Sequence, residues 1–393
     1  MIITNDNITE ATIAQEEVTN PFGANYLAWN NPNYDEATAN EWVAAMKKNN
    51  LSQTFTLTSM SLSNGVSGPS VRSNGNIIGL DWAGFGSIVE INPFLEKIVA
   101  TYSNPFFVDG SAQSVTFCTF DDKILVIPYS NAGVEQIMSI VDPVTNTGIT
   151  YSLDVTGSYG YKSAVQRSST SILIQGYGIA NCVDFNPITL THSFINGTGQ
   201  SSGVCLAPNG KVYLGPNRGG MTKSVNYIST GNAYVSTGDD LDNTNYKFGC
   251  PVYSIKTDRI YCPRGNWGTA SFLVINPNTD TSEFIIPTGE TMPSGGDGQL
   301  VWACKSDING NVIFSVINDG SVYKYDPATN ILSKVTGGPS SNYSNSVLAG
   351  DGRIWYWGNN STTAVILNTK LSFPLATWTF MSRMLSCNQG SMD

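Results

Sequence analysis

A repeat of about 40–50 residues, which begins near residue 53, constrains the fold of this chain more than any other feature. Its clearest copy spans residues 252–289 and contains four short apolar runs separated by polar turns. The four runs are Val252–Ile255, Arg259–Cys262, Phe272–Ile275 and Glu283–Ile286. Four strands of this length on this period are typical of one blade of a β-propeller.

Three landmarks recur along the chain in the same order. The first is a tight turn between the first and second strands, and its Asn-Gly and Asp-Gly copies are strong hairpin signals. It occurs at Asn74-Gly75, Asp121-Asp122, Ser169-Thr170, Asn209-Gly210, Thr257-Asp258, Asn309-Gly310 and Asp351-Gly352. The second is a turn between the third and fourth strands, with Asn-Pro or Asp-Pro in most copies. It occurs at Asn92-Pro93, Asp142-Pro143, Asn186-Pro187, Gly231-Asn232, Asn276-Pro277, Asp326-Pro327 and, in degenerate form, Asn368-Thr369. The third is Thr-Gly at the exit of the repeat, at Thr156-Gly157, Thr198-Gly199, Thr237-Gly238, Thr288-Gly289 and Thr336-Gly337.

Seven copies of the first two landmarks predict seven four-stranded blades, and hence an all-β propeller over residues 53–393. The strand between the two turns is apolar in every copy, as expected for strands buried between neighbouring blades. The runs Gln53–Leu62 and Ala376–Met381 flank the repeats. We expect one of them to pair across the closure of the ring and cover exposed sheet edges.

Residues 1–52 do not fit the repeat and are predicted to form a separate, partly helical N-terminal arm. Short helices are expected at Ile8–Val18 and Asp35–Lys48, the second with acids at its start and lysines at its end. The arm also carries large aromatic side chains, which predict that it lies on another surface. The candidates for docking are Phe22, Tyr26, Trp29 and Trp42. That surface is either the propeller itself or a neighbouring subunit.

Composition limits the classes of partner. The formal net charge is −10, which argues against a nucleic-acid partner because phosphate binding needs a basic face. No apolar run approaches the roughly 18 residues that a membrane-spanning helix needs, so no membrane insertion is expected. The first residues lack the basic and apolar regions of a secretory signal, so no signal peptide is expected, and a virion protein made in the cytoplasm of a host cell would fit this.

The loops between the second and third strands and the connections between blades share one face of a propeller. In this chain they combine aromatic residues with Arg, Asn and Gly, which is typical of a binding face on a rigid scaffold. The candidate residues are Trp82, Phe85, Tyr129, Tyr159, Tyr161, Tyr177, Arg218, Arg264, Trp267 and Trp357. The alternative for each residue is that its ring only packs the loop down.

The sequence offers few groups for catalysis. His192 is the single histidine, which excludes a histidine cluster and most Ser-His-Asp or Cys-His arrangements. Asp240 and Asp242 form a weak calcium candidate that lacks the glycine and late glutamate of an EF-hand. Four of the seven cysteines fall in or beside the first strands of repeats and are predicted to be buried thiols: Cys118, Cys205, Cys250 and Cys304. We therefore predict a protein that is not an enzyme and that needs no cofactor or metal.

The repeats contain forms such as VDPVTNTG, VINPNTDT and YDPATNIL. In these the chain resembles the broad superfamily of YVTN, SMP-30 and virginiamycin-B-lyase-like β-propellers. The resemblance covers about residues 53–393 and implies the architecture. The lyases of that group rely on histidine with a magnesium site, and the gluconolactonase-like members use a Glu/Asn/Asp metal set. Neither set maps onto this chain residue by residue, so the resemblance does not carry their activity over.

A second resemblance is one of composition. Few lysines, one histidine, abundant Asn, Ser, Thr and Gly, and an arm before a β-domain are similar to bacteriophage structural proteins of the tail or capsid surface. This resemblance implies a virion component whose arm docks onto other virion proteins within a multi-subunit assembly. Its loop face would then meet a neighbouring subunit, a host glycan or a receptor.

Two alternatives remain. One is a carbohydrate-binding, lectin-like propeller that uses Trp82, Tyr177, Trp267 and Trp357 as stacking platforms. The other is a propeller hydrolase or lyase with acids in its central channel, since a pair of carboxylates about 5–10 Å apart would be enough for glycoside chemistry.

Overall fold

The structure is a computed structural model in which the described residues form β-strands joined by turns. It describes residues 56–61, 65–81, 86–93, 95–105, 114–128, 134–157, 161–176, 181–196, 201–216, 225–237, 247–265, 271–291, 301–307, 310–316, 321–335, 343–349, 352–358 and 362–368. These residues contain thirty strands arranged in seven sheets. The predicted all-β propeller of seven four-stranded blades is confirmed. Both predicted helices and the aromatic residues of the arm lie outside the described ranges.

The strands are numbered in chain order and follow one another through the blades. The first, β1 (Thr56–Ser61), belongs to blade 7. Blade 1 contains β2 (Val66–Val71), β3 (Ile77–Asp81), β4 (Ser87–Asn92) and β5 (Lys97–Ser103). Blade 2 contains β6 (Ser114–Cys118), β7 (Ile124–Pro128), β8 (Val134–Asp142) and β9 (Thr147–Gly157). Blade 3 contains β10 (Tyr161–Ser168), β11 (Ser171–Gly176), β12 (Asn181–Asn186) and β13 (Thr191–Asn196). Blade 4 contains β14 (Ser201–Leu206), β15 (Val212–Pro216), β16 (Val225–Ile228) and β17 (Tyr234–Thr237).

The last three blades depart slightly from this plan. In blade 5 the innermost strand is split, and the blade contains β18 (Lys247–Phe248), β19 (Val252–Ser254), β20 (Arg259–Gly265), β21 (Ser271–Asn276) and β22 (Thr281–Ile285). Blade 6 has a fifth strand, and it contains β23 (Thr288–Gly289), β24 (Val301–Ser306), β25 (Val312–Val316), β26 (Val322–Asp326) and β27 (Ile331–Val335). Blade 7 contains β28 (Tyr343–Leu348), β29 (Ile354–Gly358) and β30 (Thr363–Asn368), with β1 as its outermost strand. None of the described residues forms a helix long and apolar enough to cross a membrane.

The two ends of the described chain close the ring together. β1 pairs antiparallel with β30, with Thr56 opposite Asn368 and Ser61 opposite Thr363. Each innermost strand contacts the innermost strands of its neighbours, and β2 contacts β28 to complete the circle. The prediction that Gln53–Leu62 pairs across the closure is confirmed for Thr56–Ser61, whereas Ala376–Met381 lies outside the described residues.

Two ends of the ring can be distinguished from the strand directions. The turns between first and second strands and between third and fourth strands lie at one end, which we call the turn end. The loops between second and third strands and the connections between blades lie at the other, which we call the loop end. Because Asn368 ends a third strand, its partner Thr56 lies at the turn end. Residues 1–55 therefore join the ring at the turn end, on the outer rim of blade 7.

The hydrophobic core lies between the blades because both faces of each sheet are covered by neighbours. At the seam of blades 7 and 1, Trp355 and Trp357 stack at 5.9 Å between ring centroids and pack with Val66, Ile77 and Ile91. Comparable buried clusters fill the seams from blades 1 and 2 to blades 5 and 6. Because both faces of a central strand are buried, its sequence is a continuous run of Val, Ile and Leu.

The Asn/Asp-Pro landmark has a specific turn chemistry. In blade 2 the Asp142 carboxylate accepts a hydrogen bond from the amide N–H of Val144 at 2.8 Å, while the Thr145 and Thr147 hydroxyls bond at 2.7 Å. The residue that follows the threonine, Asn146, then adopts a left-handed φ of 52°. Asn and Asp side chains bond their own backbone in this way and tolerate left-handed dihedrals. The dihedral angles and hydrogen bonds of this turn therefore favour Asn, Asp and Thr, which is why the turn can be recognised in the sequence.

Leu190 occupies the same left-handed position in blade 3, with φ of 52° and a side chain that is 36% exposed. The left-handed conformation costs a leucine roughly 1–2 kcal/mol, and it costs an asparagine less. We expect Leu190→Asn to raise the free energy of unfolding by about 0.5–1 kcal/mol, measured by urea denaturation. The reciprocal change Asn146→Leu should lower it, and a lower value for Leu190→Asn would contradict this explanation.

Two local details differ from expectation. Thr288-Gly289, which the repeat predicts to be a plain exit, forms β23 and pairs in parallel with Ile331-Leu332 of blade 6. Cys118, Cys205 and Cys304 are buried free thiols as predicted. Cys250 is also buried but is disulfide-bonded, so the prediction of a thiol there is wrong.

Candidate binding site at the loop end

Polar side chains at the turn end are extensively paired, as the seam of blades 1 and 2 shows. Arg72, at the end of β2, donates to the Glu90 carboxylate at 2.6 Å and to Asp122 of blade 2 at 3.2 Å. Asn76 donates to the other Glu90 oxygen at 2.6 Å, and the Tyr102 hydroxyl also bonds Glu90. All five side chains are buried.

The electrostatics of this network explain how two carboxylates stay buried. Burial alone would raise the pKa of Glu90, but the Arg72 charge and hydrogen bonds from Tyr102, Asn76 and Asn74 lower it overall. Burial and the hydrogen bond to Glu90 raise the pKa of Tyr102. The network is therefore a charged cluster in which both carboxylates are paired, and it joins two blades.

Other seams at the turn end use the same device, in which a cation of one blade bonds the next blade. Lys211 reaches Asp280 at 2.5 Å, Lys256 reaches Asp326 at 2.7 Å and Arg353 reaches Glu96 at 2.6 Å. Arg167 similarly donates to the Ser229 carbonyl at 3.1 Å. These ion pairs occupy charged side chains that a ligand at the turn end would otherwise contact. They join neighbouring blades, so the turn end stabilises the ring. Sequence reasoning, which expected little chemistry in the short turns, missed this role.

The loop end differs, because several fully buried polar atoms there have no hydrogen-bond partner. They are Ser67 Oγ near the start of β2, Tyr161 Oη at the start of β10, Ser271 Oγ at the start of β21 and Trp357 Nε1 near the end of β29. These atoms come from blades 1, 3, 5 and 7, so they are spread around the ring. Other buried polar atoms also have no hydrogen-bond partner. Arg72 Nε and Trp355 Nε1 lie towards the turn end, and Ser346 Oγ lies in mid-strand.

A buried polar group without a partner costs about 1–3 kcal/mol, and native proteins retain few of them. Four such atoms lie at the loop end of this propeller, so hydrogen-bonding groups at that end are not all used within the protein. Burial also raises the pKa of Tyr161, so its phenol remains a neutral donor throughout the physiological range.

The predicted binding residues fall into three groups. Trp82, Phe85, Tyr129, Tyr159, Tyr177, Arg218 and Trp267 lie outside the described residues, as do Asp240 and Asp242. Arg264 lies on β20 at the loop end, with its backbone paired to Ser271, but its side chain is outside the description.

Tyr161 and Trp357 lie at the loop end as expected, but both side chains are fully buried. Trp357 packs in the core of the seam between blades 7 and 1, so it is not an exposed stacking platform. The sequence does not distinguish an aromatic residue on a loop from one at the adjoining strand end, which is inside the blade.

His192 lies on β13, the outermost strand of blade 3. It is half-buried rather than a plain surface residue, because its Nδ1 bonds the Tyr151 hydroxyl of blade 2 at 2.7 Å and its ring packs on Phe194 at 5.0 Å. The histidine thus joins two blades at the rim.

Among the described residues, no group of three or more His, Cys, Asp and Glu side chains is placed to hold a metal ion.

No known protein family matches the chain by sequence, and no curated protein matches it. Solved structures do match, and they share the β-propeller fold of this chain. Virginiamycin B lyase from Staphylococcus aureus superposes with a TM-score of 0.63 at 11% identity, covering 80% of this chain and 100% of the lyase. A catalytically inactive histidine-to-alanine variant of that lyase with quinupristin gives 0.60 at 14% identity, with 80% of this chain and 100% of the lyase covered.

A third match is a β-propeller domain of another protein. The β-propeller domain of Cps50 (Swd1) from Myceliophteria thermophila superposes with a TM-score of 0.58 at 8% identity, covering 80% of this chain and 100% of that domain. At these identities the matches establish the fold alone.

The prediction that the chain is not an enzyme is contradicted by these comparisons. A lyase stands among the structures that share the fold over four-fifths of the chain, so the fold is one that supports catalysis. The single histidine excludes certain mechanisms but not enzymatic function as a class.

Proposed function

We propose that this protein is a binding propeller that works within an assembly. Its loop end engages a polar partner, and its N-terminal arm anchors it from the opposite end. The observation that carries the proposal is the contrast between the ring's two ends. Ion pairs join neighbouring blades at the turn end, whereas Ser67, Tyr161, Ser271 and Trp357 at the loop end have buried polar atoms without a partner; towards the turn end Arg72 Nε and Trp355 Nε1 share this property.

The position of the arm supports this division of labour. Thr56, the first residue of β1, lies at the turn end, which is the end opposite the loops. The aromatic and Asn-rich loops supply the groups that bind glycans or protein surfaces, since aromatic rings stack and amides bond hydroxyls. The partner class is a host-surface glycan or a neighbouring subunit. A phage virion is the assembly to test first, and its support is the compositional resemblance alone.

A matched pair of variants tests the contrast between the ends. Tyr161→Phe removes an unpaired buried hydroxyl and should leave the free energy of unfolding unchanged or raise it by up to about 1 kcal/mol. Tyr102→Phe removes a hydroxyl bonded to Glu90 and should lower it by about 1–3 kcal/mol. Urea denaturation measures both. Equal losses for the two variants would show that Tyr161 is already satisfied.

Binding is tested on glycan arrays and by co-sedimentation with native material from the source. The wild-type chain should bind, and Trp267→Ala and Trp82→Ala on the loops should weaken binding at least tenfold. Lys123→Ala at the turn end is the control, because Lys123 is exposed and pairs only with the exposed Asp121. Unchanged binding by the tryptophan variants would remove the loop face from the proposal.

A lyase is the second candidate, and the shared fold with virginiamycin B lyase favours it. The test is incubation with quinupristin, with and without added magnesium, followed by liquid chromatography and fragmentation mass spectrometry, since an elimination within a ring leaves the mass unchanged. This candidate expects conversion of quinupristin that persists in His192→Ala, because His192 lies at the rim, where it bonds Tyr151. Absence of product under both conditions would remove this substrate from consideration.

A further inference from the structure

One described cysteine differs from the others in its bonding. Cys250 is disulfide-bonded, and its side chain is fully buried. The other described cysteines are free thiols, and they are Cys118, Cys182, Cys205, Cys262 and Cys304. The sequence contains seven cysteines, so Cys387, which lies outside the described residues, is the one that remains as a partner. Because the structure contains a single chain, the bond lies within one molecule.

The surroundings of Cys250 leave one direction from which a partner can reach it. Cys250 lies on the innermost strand of blade 5, between β18 and β19, and shares a buried cluster with Cys304 of blade 6. Tyr253 of the same strand packs against blade 4. On the outer side the strand pairs with β20, where the Gly249 N–H donates to the Pro263 carbonyl at 2.7 Å. The remaining side is the inner edge of the strand, which faces the axis of the ring.

The length of the C-terminal segment is sufficient for this approach. The two Cα atoms of a disulfide are usually about 4.4–6.8 Å apart, so the second cysteine must come close to the innermost strand of blade 5. The 19 residue steps from Asn368, at the end of β30, to Cys387 span at most about 65 Å. Blades 7 and 5 are separated by two seams of about 10 Å each. The segment can therefore reach Cys250 from the axis.

We propose that Cys250 and Cys387 form the disulfide, so that the C-terminal segment is linked covalently from blade 7, across the axis, to blade 5. The pairing of β1 with β30 closes the ring by hydrogen bonds within blade 7. The disulfide adds a covalent closure, because the chain between the two cysteines contains nearly all of blade 5, all of blade 6 and three strands of blade 7. This inference goes beyond binding at the loop end and does not depend on it.

The proposed bond makes the stability of the ring depend on the redox environment. The two cysteine thiols lose two electrons and two protons, and a low-molecular-weight disulfide accepts them and becomes two thiols. Structural disulfides persist outside the cytosol and are rare within it. A chain in a reducing cytosol should therefore keep seven thiols, and it should gain the covalent closure in an oxidising environment.

The free thiols are protected from the same reaction. Burial raises the pKa of Cys205 to about 12, and it raises the pKa of Cys262 and of Cys304 as well. The thiolate is the reactive form of cysteine, so these side chains stay unreactive in the folded protein. Cys304 also shows that closeness to Cys250 is not sufficient for pairing, since it lies in the same cluster and is free.

Peptide mapping without reduction tests the pairing. The full-length chain is equilibrated with oxidised glutathione, unfolded in urea with N-ethylmaleimide at acidic pH to stop thiol exchange, and digested with trypsin. Peptide 248–256, FGCPVYSIK, should be joined to peptide 384–393, MLSCNQGSMD, and the two should separate on reduction. The five other cysteines should be alkylated. Seven alkylated cysteines, or a link from Cys250 to any of those five, would overturn the proposal.

Thermal unfolding tests the effect of the bond on the ring. Reduction with dithiothreitol should lower the Tm of the oxidised wild type by roughly 5–10 °C, because a disulfide that closes a long loop restricts the unfolded chain. Cys387→Ser should unfold at the lower Tm and should not respond to dithiothreitol. Cys182→Ser is the matched control, because Cys182 is a buried free thiol on β12, and this variant should keep the response. A wild type that does not respond, or a Cys387→Ser variant that still does, would contradict the covalent closure.

Discussion

Replacing Arg72 with methionine is expected to lower the free energy of unfolding by about 3–5 kcal/mol, which is the usual cost of removing one partner from a buried ionic network. The loss is large because Glu90 and Asp122 would remain buried without their shared cation. The double substitution Arg72→Met with Glu90→Gln should recover part of it, since the variant buries one charge fewer. Urea denaturation at pH 7 measures both variants.

Lys123→Met provides the control for this prediction. Lys123 and Asp121 form an ion pair at 3.3 Å with both side chains about half exposed, so its removal should change stability by less than about 1 kcal/mol. A similar small change for Arg72→Met would show that the network does not hold blades 1 and 2 together.

Lys305→Met is expected to raise stability at neutral pH and to change its pH dependence. Lys305 is buried on the innermost strand of blade 6, and burial lowers its pKa to about 7. In the unfolded chain a lysine titrates near pH 10.4, so between pH 7 and that value the unfolded state binds more protons than the folded state. Stability of the wild type should therefore rise with pH above 7, with a slope of up to about 1.4 kcal/mol per unit.

The useful window for this measurement is pH 7 to 8.5. Burial raises the pKa of Cys304 and that of Cys205, the latter to about 12, so these thiols stay protonated in the folded state. Unfolded cysteines lose their protons from about pH 8.5, and stability then falls. Within the window, Lys305→Met should flatten the slope, because it removes the group whose pKa lies there. An unchanged slope would show that another group titrates there.

Much of the fold could be predicted because its signals are local. The Asn-Pro turn at Asn276 and the Asn-Gly turn at Asn209 each occupy a few residues, and their dihedral requirements select recognisable sequences. The sequence also predicted that a strand such as Thr56–Ser61 closes the ring. A strand-like run precedes the first complete repeat, and exposed sheet edges are usually covered. The parallel strand β23 could not be predicted, because its partner lies more than 40 residues away and the two share no sequence signal.

The candidate site was harder to predict for the same reason. The bridges between Lys211 and Asp280 and between Arg353 and Glu96 join residues 69 and 257 positions apart, and only the ring brings them together. Tyr161 was identified at the loop end, but its burial follows from blade packing. The exclusion of enzymes failed because it reasoned from missing histidines, whereas a fold can support several chemistries.

The most direct test of the account is hydroxyl-radical footprinting of the protein in the complex isolated from its source, compared with the free chain. The loop-face proposal predicts protection of peptides that contain the loops after β3, β11 and β20, with no change in the turns around Asn209 and Asn276. Protection of those turns, or no protection at the loop end, would contradict the claim that the loop end is the binding face.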